Sequence, residues 1–252
     1  MSVTAAELIV YGSANMPEDN VSTSGGAIDL TTKIVFTDIA ATDQVTVISS
    51  NAGDTTQTVT VYGRNAGGTI VSEALSLNGT TRVTGATAFE RILKVVISAS
   101  HAGTVTIARD NTPTFTEIAT MESGILTLRR LFYDASADVG GGSSRDYYEK
   151  VFIKNTNATF TLNSAAIVEQ ADPTTLITFD LEDAVDDNNS LSDRLDTAPT
   201  GMLGTFTGAS KSVPGGVLAA GVAIGVWLKL TLAAGTAAAQ STYTLRTRGT
   251  TT

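Results

Sequence analysis

His101 is the single histidine of the chain, so any hydrolytic triad has to be built on it, with a serine and a carboxylate brought to it by the fold. It stands in His101-Ala102-Gly103, a turn signal between two apolar runs, and reads as an exposed turn residue. The densest carboxylates lie at Asp183, Asp186, Asp187, Asp193 and Asp196, and the first four offer hard oxygen ligands of the kind calcium takes. The glycine and glutamate that complete a helix–loop–helix calcium loop are missing, and the segment reads as a solvated acidic loop. Gly215, Gly216, Gly221 and Gly225 match neither the dinucleotide fingerprint nor the phosphate loop. The paired carboxylates of a glycosidase meet only in space. A sugar-cleaving cleft also wants exposed aromatic platforms, yet aromatic residues are 6% of the chain and the one tryptophan, Trp227, lies inside an apolar run that reads as core. Arg129 and Arg130, near Tyr133, read as partners for acids, either across a subunit interface or within the chain. No residue is therefore assigned to catalysis, to a cofactor or to a metal, and the chain is expected not to be an enzyme.

Composition narrows the partners. The chain of 252 residues carries 16 Lys and Arg against 25 Asp and Glu, a formal net charge of -9. A phosphate-gripping protein needs a basic patch, and Arg129-Arg130 is too small to be one, so nucleic acid is disfavoured as a partner. Cysteine is absent, which removes disulfides and thiolate chemistry. The residues after Met1 lack the basic and apolar regions of a signal peptide. The longest apolar stretch, Val217 to Leu232, is rich in Gly and Ala and carries Lys229. It is too short for a bilayer span and reads as two buried strands, so no membrane is expected. Charged residues are only 16%. The polar surface must come from Thr, Ser, Asn and Gly, which suit strands and tight turns.

The elements that position these residues follow a period of two. Strands are expected at Thr32–Thr37, Gln44–Ser49, Gln57–Tyr62, Val71–Leu77, Phe89–Ser98 and Thr104–Ala108. The turn signals between them include Asn65-Ala66-Gly67-Gly68 and Asn78-Gly79. Further strands are expected at Gly124–Tyr133, Lys150–Asn155, Thr159–Leu162, Ala166–Gln170, Leu176–Leu181, Val222–Leu232 and Thr242–Arg248. Gly140–Ser144 reads as a flexible loop and Ala233–Gln240 as a small-residue turn. Residues 183–212 read as a long loop with one helical turn near Leu191–Leu195. The expected fold is all-β, with two β-sandwich-like domains and an extended N-terminal arm. The arm is 1–27, the first domain 28–110, a linker 111–117 around Pro113, and the second domain 118–252.

Three stretches carry a resemblance. They are Thr58–Gly63 with Ala66-Gly67-Gly68, Glu73–Thr81, Val83, Ala88-Phe89 and Ile92; the opening Ser13–Asn20 with Ser24–Asp29; and Tyr148–Leu162. Together they resemble β modules that recur in structural proteins of tailed-phage virions. The resemblance implies a virion component, expected as a capsid decoration or cement protein on the capsid surface, assembled in the host cytoplasm. Its expected partners are the major capsid protein and itself, as a homotrimer. A tail or neck protein, or a carbohydrate- or receptor-binding module on a fibre, are the rival expectations. The N-terminal arm and the 183–212 loop are the expected contact elements, the arm being removable without unfolding either domain.

Overall fold

A computed structural model describes residues 2–18, 21–35, 37–138, 140, 142–236 and 242–251. A short 3-10 turn, Ala5–Glu7, leads into β1 (Leu8–Asn15) and β2 (Ser24–Lys33). Eight strands follow: β3 (Asp43–Ser49), β4 (Thr58–Arg64), β5 (Ile70–Ser76), β6 (Val83–Phe89), β7 (Arg91–Ile97), β8 (Val105–Arg109), β9 (Glu117–Met121) and β10 (Thr127–Arg129). The rest of the chain holds β11 (Arg145–Asn155), β12 (Leu162–Ala171), β13 (Ile177–Val185), β14 (Ser190–Leu191), β15 (Lys211–Ser212), β16 (Val217–Leu218), β17 (Ala223–Leu232) and β18 (Thr244–Thr250). The all-β expectation holds. Among the described residues no helix is long and apolar enough to cross a membrane.

The chain divides into two compact units. Leu30–Leu131 forms one, and Met1–Asp29 with Phe132–Thr252 forms the other. The 30–131 unit is thus an insertion in the chain of the other, and the division expected at 111–117 is corrected. Residues 111–117 turn β8 back onto β9, which pairs with it antiparallel. Asn111 closes that turn: its Oδ1 accepts from Thr116 N at 2.8 Å and its Nδ2 donates to Thr116 Oγ1 at 2.9 Å. Proline and Asn signal a change of direction, which a hairpin and a linker share.

In the 30–131 unit, one sheet runs from the end of β2 through β10, β7 and β4 to β5. The other has the order β6-β3-β8-β9. Strand β4 alternates as the sequence requires, with Val59 and Val61 buried. It forms a hairpin with β5 from Thr58↔Ser76 to Arg64↔Ile70. Asn65 Oδ1 shapes the hairpin turn by accepting from Gly67 N and Thr69 N, each at 3.0 Å. At one place a carboxylate joins the sheets: Glu73 of β5 accepts from Ala86 N at 2.6 Å and Thr87 N at 2.9 Å of β6. The β3–β6 register shifts between Gln44 and Thr46, and Glu73 satisfies amides at that irregularity.

In the other unit, β13, β17, β11 and β1 lie side by side, with Ser24–Asp29 of β2 next to β1. A second sheet sets β12 against β18 and the short β15 and β16. The expected N-terminal arm is corrected here. Leu8–Gly12 of β1 pair antiparallel with Val151–Asn155 of β11, so this segment is an inner strand. The stretch Val217–Leu232 forms β16 and β17, as two strands were expected to.

Other boundaries moved. The strand expected over Thr32–Thr37 begins at Ser24 and ends at Lys33, and Phe36 lies outside the described residues. Thr159–Leu162 and Ala166–Gln170 contribute to the single β12, and Gly124–Tyr133 contracts to the three residues of β10. The helical turn near Leu191–Leu195 is absent. Leu191 pairs with Ser24 and Leu195 bridges to Tyr147, so that loop is laid down in extended form. Parts of Gly140–Ser144 and of Ala233–Gln240 also lie outside the described residues.

A buried charge centre as the candidate functional site

Strand β17 runs between β11 and β13, and the registers place Lys150, Trp227 and Asp180 in one row. Cross-strand partners share a face, so these side chains project together. Lys150 Nζ reaches Glu182 Oε1 at 2.6 Å, and both side chains are fully buried. The ammonium also donates to three backbone carbonyls: Gly26 O at 3.1 Å, Asp187 O at 3.0 Å and Asn189 O at 3.2 Å. Trp227 Nε1 donates to Glu182 Oε1 at 3.3 Å.

Two glycines make room for this. A Cβ on Gly225 would lie 2.2 Å from Glu182 Oε2 and 2.9 Å from Lys150 Cε, so the missing side chain is where the pair meets across β17. Gly25 sits at φ +88, and a Cβ there would lie 2.7 Å from the Trp227 ring. Burial pushes the Glu182 carboxyl up to about 7 against the opposing pull of Lys150, and burial lowers the Lys150 amine. Glu182 Oε2 has no hydrogen-bond partner among the described residues, which adds to the cost of its charge.

Adjacent residues of a strand face opposite ways, so Glu149 carries a second charged group on the other side of β11. Arg194 is ion-paired to Glu149 and, at 2.8 Å, to Asp134, and its guanidinium lies 5.1 Å from the Tyr147 ring centroid. Phe132 N donates to Glu149 Oε1 at 3.1 Å. A third pair joins Lys211 to the buried Asp180 at 3.1 Å. Asp180 also accepts from Gly204 N at 3.0 Å, and Lys211 donates to Thr205 O at 2.7 Å. These three pairs tie the 187–211 segment onto β11 and β13.

Shifted amines and carboxyls are the ordinary material of acid–base catalysis. Here the Lys150 and Glu182 side chains have no solvent-exposed surface, and the ammonium and the carboxylate are paired with each other. The arrangement can hold strands together and hold a loop down. None of its ion-paired side chains was singled out from the sequence. The available signal was Glu149-Lys150 standing between Tyr147-Tyr148 and Val151-Phe152-Ile153, a charged dipeptide inside an otherwise apolar run.

The residues that were singled out fare differently. His101 is buried at 4% exposure, which corrects the exposed-turn expectation. Its Nδ1 faces Gly103 O at 2.7 Å and its Nε2 faces Ile125 O at 3.0 Å. An acid and a serine do lie nearby, but not in the wiring of a triad. Asp54 accepts from Ser49 Oγ at 2.6 Å and from Ala102 N and Gly103 N at 2.9 Å each. Neither histidine nitrogen is directed at a hydroxyl or carboxylate, so no base is set against Ser49. The amide of Ala102, first among these donors, holds the Asp54 carboxyl below its usual range.

The acidic loop accepts backbone amides, Asp187 and Asp193 within turns and Asp186 and Asp196 from β17 and β11. Asp186 accepts from Ala223 N at 2.9 Å, Asp187 from Asn189 N at 2.6 Å, Asp193 from Leu195 N at 2.8 Å and Asp196 from Asp146 N at 2.7 Å. Among the described residues no three His, Asp or Glu side chains gather as a metal-binding group. Arg130 is ion-paired to Asp38 within the chain and donates from Nε to Ile92 O at 2.7 Å, and Arg129 is buried. Trp227 is fully buried, packed with Tyr148 and Leu191. Gly215 and Gly216 lie in a short 3-10 turn, Pro214–Gly216. No family model, no curated protein and no solved structure matches the chain.

Proposed function

We propose that the chain is a non-enzymatic structural protein of a tailed-phage particle, which decorates the capsid and stabilises it by bridging neighbouring major capsid subunits. The observation that carries this reading is the fate of the buried charges. Lys150, Glu182, Glu149 and Arg194 are fully buried, Lys150 ion-paired with Glu182 and Arg194 with Glu149. Such groups fix one arrangement of strands and loops and leave no charged atom aimed at a substrate. The virion resemblance of Thr58–Ile92 and Tyr148–Leu162 gives this rigid scaffold its setting.

A decorating protein that binds only the assembled lattice stabilises it by mass action. Several weak contacts from one oligomer add through effective concentration. The test is cosedimentation of the purified protein with undecorated capsids and, separately, with tails. Saturable binding to capsids, which then resist heat better, is expected. Binding to tails alone would reassign the protein to the tail, and binding to neither would favour the receptor-binding module on a fibre.

A further inference from the structure

Strand β18 pairs with β12 and with no other described strand, so among the described residues its outer edge keeps backbone donors and acceptors outside any ladder. On it Arg246 and Arg248 are exposed while Leu245 and Thr247 are half-buried. Two residues apart on a strand, the two arginines leave the same face from backbone positions about 7 Å apart. Several cations elsewhere face carboxylates of the same chain, as Lys33 does Glu122, Arg109 does Asp43 and Lys229 does Asp146. The Arg246 and Arg248 side chains form no ion pair or hydrogen bond among the described residues.

The chain also presents the complementary charge. Asp183, Ala184, Val185 and Asp186 are all exposed at the end of β13 and just beyond it. Asp186 gives one oxygen to Ala223 N, whereas the Asp183 carboxylate has no hydrogen bond among the described residues. Copies carrying a net charge of -9 repel one another on average, and a local cationic patch offsets that repulsion where it meets an acidic segment.

We propose that β18 is a docking strand for a second copy of this chain, whose Asp183–Asp186 segment lies against Arg246 and Arg248. The contact joins two different patches. It is therefore head-to-tail, and repeated it closes into a ring or extends into a filament. The inference gives a surface to the self-association expected of the protein and stands whether or not the capsid reading does.

Sedimentation velocity on the full chain tests it. The wild type is expected to self-associate, with affinity falling about tenfold or more between low and high salt. Arg246→Asp/Arg248→Asp and, separately, Asp183→Arg are each expected to be monomeric. An equimolar mixture of the two variants is expected to form mixed dimers, because each then offers the charge the other lacks. The substituted residues are exposed, and circular dichroism checks that each variant folds. Arg246→Ser/Arg248→Ser serves if charge reversal disturbs β18. A wild type that stays monomeric at about 100 μM overturns the proposal. So do variants that associate like the wild type, or a mixture that stays monomeric while another acidic protein binds β18.

Discussion

Lys150 is held by four oxygens and Glu182 by the ammonium and an indole N–H, so removing either charge strands the other inside the protein. Lys150→Met is expected to cost about 3–5 kcal/mol in denaturant unfolding, and Lys150→Met/Glu182→Leu distinctly less. The pH dependence has a definite sign. Glu182 rises from an ordinary 4.5 to about 7 in the folded protein. Its contribution to stability is therefore complete below about 4.5 and is lost as pH rises through about 7. The stability of wild type relative to Glu182→Gln should thus be greater at pH 5 than at pH 8, read from paired melting curves. Asp54 behaves oppositely. With its carboxyl held down by amide donors, its contribution is present above the ordinary 3.8 and lost as pH falls below it. Asp54→Ala should lower the melting temperature at pH 7 by more than at pH 3, since it leaves Ala102 N and Gly103 N without their acceptor.

At the scale of elements, β1 is the strand on which expectation and structure differ most usefully. Because Leu8–Gly12 pair with β11, deleting residues 1–27 removes an inner strand and the β2 residues beside it. The truncated chain is expected to lose cooperative unfolding of the unit that contains β11, measured by hydrogen exchange at Val151–Asn155. Protection there equal to wild type would contradict the pairing. The strands legible in the sequence, β3, β4, β5, β7 and β8, alternate or run apolar and are bounded by Asn-Gly or Gly-rich turns. Strand β6, Val-Thr-Gly-Ala-Thr-Ala-Phe, has too few large apolar residues to announce itself. Most of β11 is buried in succession, so its charged residues fall where no alternation marks them as inward. The charge centre was illegible for the same reason: Glu149, Lys150 and Glu182 are residue types that solvent usually claims, and only the pairing across β17 makes them partners.

For the whole molecule, two β units in one chain, the 30–131 unit inserted into the other, set the terms of the account. An insertion ties both ends of one unit to the other, so both crossings of the chain fall within one protein. We propose that this scaffold binds an assembled capsid. The most direct measurement is cosedimentation with undecorated capsids across a range of protein concentrations, followed by heating of the particles. The account predicts saturation at a fixed number of copies per particle and a higher temperature of particle disruption. Failure to sediment with capsids at any concentration, with the protein folded and its charge centre intact, would contradict it.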